Sequence, residues 1–376
     1  MKKSKSILFL IDGLAGGGAE RVVLTLAEGM AAQGDEVMIV SLRDECAYPI
    51  PKGVKYLLLE DTYRGPFWRL TEIRRRARKL DRALQKMEKK FDLIVSHLPK
   101  TDRIVAASNL SAVAWRCLHC ALTVGELGNK RGWRRWRKQR QLLKTYDKKK
   151  LITVSAALQE DVRAIGIRPA AMVTIYNPFD VEKIRVLAQE QTPFEKEKFL
   201  LHVGRFHPQK RHDRLLEAFQ QSGYAGKLML LGLGSDEETE SVRTKAEELD
   251  ILNRVVFVGF ANNPYSFMRA AEVLVLSSDY EGLPSVLIEA LICGTQVVST
   301  NCPFGPAEIL QGPLAQGLAA LTAPALAEAI QQVLANPIKI TEEMLAPFTI
   351  EESLKKYAAL ARIFHNDSSQ AAAESV

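Results

Sequence analysis

The sequence predicts an α/β fold of two doubly wound, Rossmann-like domains in tandem. Three observations carry that prediction. The chain has 376 residues, too long for one ordinary domain and about right for two. Short apolar runs rich in Val, Ile and Leu alternate with longer amphipathic stretches along its length. That is the pattern of parallel strands covered by helices on both faces. Finally, each half opens alike, as ILFLIDGLAGGGAERVVLTLAEGM and as FLLHVGRFHPQKRHDRLLEAFQ: a strand, a glycine-containing loop, then an amphipathic helix.

The elements follow in order. Ser6–Ile11 reads as a buried strand, followed by a glycine loop and a helix over Glu20–Gln33. Glu36–Ser41, Asp92–Ser96, Leu118–Val124 and Leu151–Val154 continue the strand series. Phe199–Val203, Lys227–Leu231, Val255–Phe257 and Val273–Ser277 form the second series. Pro178 interrupts the pattern, which places a first domain over 1–176 and a second over 177–346. Residues 347–366 are expected as a helix returning to the first domain, and 367–376 as a disordered tail. In such sheets ligands sit beyond the carboxyl ends of the strands. Two domains facing each other would share one central cleft.

Composition narrows the class. Hydrophobic residues at 47% and charged residues at 25% describe a globular chain, neither disordered nor fibrous. Five Cys, an odd and sparse set, argue against a disulfide scaffold and for a reducing cytosol. Met1–Leu10 opens basic and turns apolar like a signal peptide, but Asp12 cuts the apolar run short. No apolar run is long enough to span a membrane. The net charge of +7 is divided unevenly. Residues 1–176 carry 34 Lys and Arg against 18 Asp and Glu, and the remainder carries 17 against 26. The first half therefore calls for an anionic partner, and the second does not.

Two nucleotide motifs fail on inspection. A G-x-G-x-x-G starting at Gly16 meets Arg21 where Gly is needed, and a P-loop starting at Gly13 has Ala19 and Glu20 in place of Lys and Ser/Thr. What survives is Gly16, Gly17 and Gly18 between a strand and a helix N-terminus, where free N–H groups can face an anion or ligand. There is no Asp-x-Asp pair and no His cluster along the chain, so no metal site is expected.

The second half carries stronger features. Gly204-Arg205-Phe206-His207-Pro208-Gln209-Lys210 directly follows a strand, and Arg205 with Lys210 puts two cations where a diphosphate could sit. Glu281-Gly282-Leu283-Pro284-Ser285-Val286 leads into a helix that contains Glu289. Pro284 suits the first turn, and the helix end offers N–H groups and about half a positive charge. Glu281 and Glu289 are about 10–12 Å apart along a helical axis. That is too far for a retaining carboxylate pair acting on one bond, and it suits gripping two ends of an extended ligand.

Together these segments resemble glycosyltransferase family 4, the retaining sugar-nucleotide enzymes of GT-B architecture, of the kind that builds lipopolysaccharide and other envelope glycans. Glu281 and Glu289 are similar to that family's E-x7-E, and Gly204-Arg205 with Lys210 to its G-R-x4-K. Gly17-Gly18-Ala19-Glu20-Arg21 resembles its N-terminal glycine loop, and Gly305-Pro306-x-Glu308-Ile309 extends the match. The resemblance implies that Arg205 and Lys210 neutralise the departing nucleoside diphosphate. It implies that Glu289 holds the ribose, that Glu281 contacts the donor sugar, and that the backbone around Leu283–Val286 binds phosphate. The Gly259–Asn262 loop, with Phe260, would lie near the base. His119 is similar to the family's active-site His, and His97, ending a neighbouring strand, is the second choice. The implied donor is a UDP-sugar, with no cofactor and no metal. Within the same architecture, a sugar-nucleotide epimerase or an α-glucan phosphorylase is the rival reading. A nucleic-acid-binding protein is the rival from another class, and it leaves the Glu281/Glu289 pair without a purpose.

The basic half bears on the acceptor. Arg64–Lys90 holds 11 basic and 3 acidic residues, and Lys130–Lys150 holds 11 and 1. In the latter, Trp133, Trp136, Arg140 and Leu143 fall near one helical face, among Lys130, Arg131, Arg134, Arg135 and Arg137. This is the pattern of a helix lying on an anionic membrane. The expectation is a cytoplasmic enzyme, peripheral on the inner membrane face. Its acceptor would be a lipid-linked or lipopolysaccharide-type glycan, with nucleic acid excluded as a partner.

Overall fold

A computed structural model describes residues 4–15, 17–46 and 48–373, with side chains as far as Ala361. The chain forms two compact units. The first comprises the residues up to Pro178 together with the last helix from Ile350, and the second is Phe179–Thr349.

The first unit holds a seven-stranded sheet of β1 (Ser6–Ile11), β2 (Glu36–Ser41), β3 (Val54–Leu58), β4 (Leu93–His97), β5 (Trp115–Leu118), β6 (Lys150–Thr153) and β7 (Ala171–Thr174). The order is β3-β2-β1-β4-β5-β6-β7, with every neighbour parallel. It is doubly wound, and the order reverses between β1 and β4, the place where such sheets bind ligands. Leu8, Leu10, Val40 and Ile94 enter one core cluster, and Leu118, Leu151 and Val162 another. The last helix, Ile350–Ala373, belongs to this unit. A Cβ on Gly29 would come within 2.8 Å of Ile350 Cδ1 and 2.9 Å of Leu354 Cδ1, so that glycine lets the helix Gly18–Ala32 approach the last one closely. Leu354, Tyr357, Leu360 and Ala361 are buried.

A polar network crosses this core. Asp102 is fully buried and accepts from Ser96 Oγ at 2.5 Å and from the Tyr146 hydroxyl at 2.8 Å. Burial pushes its carboxyl up to about 7, although Ser96, the Arg116 charge and Tyr146 all pull it down. A buried acceptor that loses its donor costs about 1–3 kcal/mol, and more when it is ionised. Tyr146→Phe should therefore destabilise the protein by about that amount. Urea titrations should show a larger loss at pH 8 than at pH 5, because the carboxyl ionises in between. An equal loss at both values would mean that Asp102 does not titrate there.

The second unit holds a six-stranded sheet of β8 (Phe199–Val203), β9 (Lys227–Leu231), β10 (Val255–Gly259), β11 (Val273–Leu276), β12 (Gln296–Thr300) and β13 (Leu318–Ala319). Its order, β10-β9-β8-β11-β12-β13, reverses between β8 and β11. All its pairings are parallel. Leu200, Leu215, Leu228, Val275 and Ile330 lie in its core.

Several expectations need correction. The strand anticipated over Leu118–Val124 is β5, which ends at Leu118; Thr123–Leu127 forms a π-helical turn. The chain turns there because the Asp161 carboxylate accepts from the Leu122 N–H at 2.6 Å and the Thr123 N–H at 3.3 Å. Strands β3, β7, β12 and β13 were not anticipated. β3 and β7 are edge strands and largely half-buried, so their sequences lack a continuous apolar run. The segment expected as a disordered tail is helical as far as Ala373, in keeping with its Gln-Ala-Ala-Ala composition, and residues 374–376 lie outside the described residues.

Candidate active site

The second unit gathers most of the expected residues at the carboxyl end of its sheet. After β8 the chain passes through Gly204 and Arg205 to a 3₁₀ turn, Pro208–Lys210. After β11 it runs through Ser277–Pro284 into the helix Ser285–Ile292. The two loops are tied together. Lys210 Nζ lies 2.7 Å from Glu281 Oε1, and Ser278 Oγ donates to the same oxygen at 2.6 Å. Gln209 Nε2 donates to Tyr280 O at 2.7 Å, and Ser277 Oγ to Lys210 O at 2.7 Å. Arg214 and Arg211 both bridge to Asp279, at 2.7 and 3.2 Å. The side chains of Lys210 and Glu281 are only 17% and 10% exposed. Removing one partner of such a pair therefore costs more than it would at a surface ion pair, because it leaves a charge buried and unpaired.

The helix Ser285–Ile292 has neither a side-chain cap nor an acidic residue in its first turn. Its first N–H groups can thus receive an external anion. Pro284 stands at the cap position, one residue ahead of the first turn expected for it, and Gly282 does not take up positive φ. The freedom that only glycine has is needed instead at Gly305, with φ +99°. A Cβ there would meet Pro284 Cδ at 2.6 Å and Gly282 O at 2.8 Å, so Gly305 sets how the loop enters the helix. Within that helix Glu289 is buried, and the Tyr265 hydroxyl donates to its Oε1 at 3.3 Å. Gly259 has φ +78° and open space where a Cβ would be, and Phe260 beside it is 68% exposed. An exposed ring next to an open backbone can stack a planar base.

Arg205 does not join this group. It is exposed, and the Glu238 carboxyl nearby is held below its usual range mainly by the Ser235 N–H and hydroxyl, with His207 and Arg205 adding the smallest contributions. Beneath the loop, His202 is fully buried, with Nδ1 2.9 Å from Val275 O at the point where β8 and β11 diverge. Burial, with His212 and Lys210 adding to it, drives its imidazole well down, so it is neutral.

In the first unit, Gly17 caps the helix Gly18–Ala32, and Gly18 has open space around it; Gly16 lies outside the described residues. A Cβ on Gly17 would come within 2.5 Å of Glu20 Oε2. An anion here would meet that carboxylate, so this helix end suits a hydroxyl-bearing ligand better than a phosphate. At the carboxyl edge, His97 Nδ1 and His119 Nε2 are 2.9 Å apart. Burial pushes His119 down to about 4 and His97 well below the usual range, so both are neutral at pH 7. Contrary to the expectation from the chain alone, their ring nitrogens and Cys117 Sγ lie within 4.8 Å of one another, a donor set that a soft metal ion could use. The pairing of β4 with β5 sets His97 opposite Cys117, which the separate positions in the sequence do not reveal.

The basic segments are helices. Trp133 and Trp136 in Gly132–Tyr146 are 65% and 58% exposed, with Arg137 and Arg140 over their rings at 6.0 and 4.7 Å. Leu143 departs from the expected face and packs against the core. Phe67 and Leu70, at the start of Trp68–Lys86, are also highly exposed and were not anticipated. Among the described residues no helix is long and apolar enough to cross a membrane.

Comparison with known proteins agrees with this arrangement. Residues 184–349 match the model of glycosyl transferases group 1, and residues 16–183 match that of glycosyltransferase family 4. The chain belongs to the group 1/family 4 glycosyltransferases. A Campylobacter jejuni relative, N-acetylgalactosamine-N,N'-diacetylbacillosaminyl-diphospho-undecaprenol 4-alpha-N-acetylgalactosaminyltransferase, is 28% identical, covering 80% of this glycosyltransferase and 81% of the relative. The lipopolysaccharide 1,6-galactosyltransferase of Escherichia coli is 31% identical over 43% of this chain, and the match spans under half of that protein, 45%. Among solved structures, Anabaena HepE in complex with UDP superposes with a TM-score of 0.74 at 19% identity, covering 94% of this chain and 98% of that one. The glycosyltransferase therefore has the GT-B type of fold, built from two Rossmann-like units.

Proposed function

We propose that this glycosyltransferase moves a hexose from UDP-sugar to a lipid-linked or lipopolysaccharide-type envelope glycan. It does so with retention and without a metal, while docked on the anionic inner face of a membrane. The observation that carries the reading is the union of Lys210, Glu281 and the uncapped helix Ser285–Ile292 at one sheet edge. The bond from the anomeric carbon to the β-phosphate oxygen breaks, and the electron pair leaves with the diphosphate. Lys210 and the helix N-terminus stabilise that charge through preorganised electrostatics. Arg205 approaches the same diphosphate from the exposed loop. The acceptor oxygen attacks on the same face, and its proton passes to the departing phosphate. Glu281 orients the sugar, Glu289 holds the ribose and Phe260 stacks the base. His119 contributes to the sugar side of the reaction. The named activities of the Campylobacter jejuni and Escherichia coli relatives support the acceptor class, and the UDP in the Anabaena neighbour supports the nucleotide.

A thermal-shift panel of UDP, GDP, ADP and CDP tests the donor. A ligand at 100 times its Kd adds about 2.7 kcal/mol, a rise of a few degrees in a chain of this size. UDP should give that rise, and Lys210→Met should abolish it. No rise with any diphosphate would count against the reading. Turnover lost in EDTA and restored by Mn²⁺ would overturn metal independence.

A further inference from the structure

We infer that His97 is a positioning residue that fixes the tautomer of His119 and so makes His119 Nδ1 a hydrogen-bond donor. The polar partners of the two rings differ. His97 is fully buried at the end of β4, and its Nδ1 lies 2.9 Å from His119 Nε2. A neutral imidazole carries one N–H and one bare nitrogen, so one ring must donate and the other accept. His97 Nε2 is buried and has no hydrogen-bond partner. If Nε2 held the proton, a buried N–H would be orphaned, the costlier and rarer kind of unmet group. The proton therefore sits on His97 Nδ1 and is donated to His119 Nε2.

The consequence falls on the second ring. With Nε2 accepting, His119 carries its own proton on Nδ1. His119 is half-buried just past β5, whereas His97 is closed in beside the Phe9 ring, with centroids 5.7 Å apart. Only His119 of the two can meet a ligand, and it does so as a neutral donor. A donor at that position suits a sugar hydroxyl or ring oxygen and does not suit a cation. The same bond holds the ring in one orientation, as carboxylate and carbonyl partners do for functional histidines elsewhere. This inference rests on the proposed glycosyl transfer only for the use made of the donor; the tautomer itself does not depend on it.

The test has two arms. The chain has six His, so selective ¹⁵N labelling gives a spectrum that can be assigned by substitution. His119 should show a protonated Nδ1 and a bare Nε2, and His97→Leu should shift it toward a mixture of tautomers. The opposite tautomer in the wild type overturns the inference. In turnover assays His97→Leu should lower kcat about 10–100-fold, the usual effect of removing a supporting partner, with little change in donor KM. His97→Asn, whose amide can replace the Nδ1 donor, should restore most of that loss. Equal losses in Leu and Asn variants that fold normally would reject positioning by hydrogen bond. If His119→Ala retains full turnover while the tautomer is as expected, the fault lies in the catalytic reading and not in the dyad. Zinc binding in the absence of substrate, lost in Cys117→Ser, would show instead that the cluster is a metal site and would overturn the proposal.

Discussion

Replacing Lys210 with Met lowers kcat/KM for the sugar nucleotide by about 10²–10³-fold, the expected size for losing one preorganised contact to a developing charge. Lys210 has two roles that a single substitution confuses. Its ammonium lies 2.7 Å from Glu281 Oε1 in a largely buried pair, and it stands where a diphosphate would depart. Removing it leaves the Glu281 carboxylate with the Ser278 hydroxyl, so stability falls as well, by about 3–5 kcal/mol in comparable buried pairs. The double variant Lys210→Met/Glu281→Gln separates the roles. It replaces an unpaired charge with two neutral groups and should recover most of the lost melting temperature. Activity should stay low, because only the exposed Arg205 is left to meet the leaving group and Glu281 has lost the charge that orients the sugar. If the double variant regains both stability and turnover to within a few-fold of wild type, Lys210 serves only to hold the two loops together. Steady-state kinetics and a melting curve on the three variants decide between these outcomes.

The same pair shows what could be read from the sequence and what could not. Lys210 and Glu281 were each legible because local spacing marks them, one after an apolar strand and one before a helix. Their contact spans 71 positions, and it exists because β8 and β11 are neighbours at the reversal of strand order. Sequence periodicity names strands but not their neighbours. The same applies to His119 and His97, which were read as first and second choices for one role. The structure makes them partners because β4 pairs with β5. Tyr265 donates to Glu289 from a short helix with no sequence signal of its own. Gly305 was legible as a residue but not as a backbone requirement, since φ +99° is a property of the folded loop. Edge strands β3 and β7 were missed because half-burial blurs the apolar pattern that marks central strands.

Substituting both Trp133 and Trp136 with Ser should lower binding to anionic vesicles by about 10²-fold or more. Each indole is more than half exposed, at 65% and 58%, on a helix whose Arg131, Arg134, Arg135 and Arg137 are exposed too. Large exposed aromatics serve no purpose in the fold of the first unit, and single ones are common on soluble surfaces. Here two of them, one helical turn apart, share a face with guanidinium groups at 6.0 and 4.7 Å from their rings. That arrangement matches a lipid interface, where the ring enters the headgroup boundary and the cation stays at the phosphates. Burying one such side chain is worth about 1.5–3 kcal/mol, and every 1.4 kcal/mol is tenfold in affinity. Each nearby cation adds about 1 kcal/mol on an anionic surface, an amount that salt screens. Co-sedimentation with vesicles containing phosphatidylglycerol should therefore weaken steeply with added salt in the wild type. The serine variant should bind weakly at every salt concentration, with a residue of binding from the second exposed pair, Phe67 and Leu70. Because neither Trp is in the core, the melting temperature should hold steady, which excludes unfolding as the cause. Wild-type protein that stays in the supernatant at low salt would remove the membrane from the proposal. The exposed indoles would then be left to a carbohydrate acceptor, whose sugar faces stack on aromatic rings without needing anionic lipid.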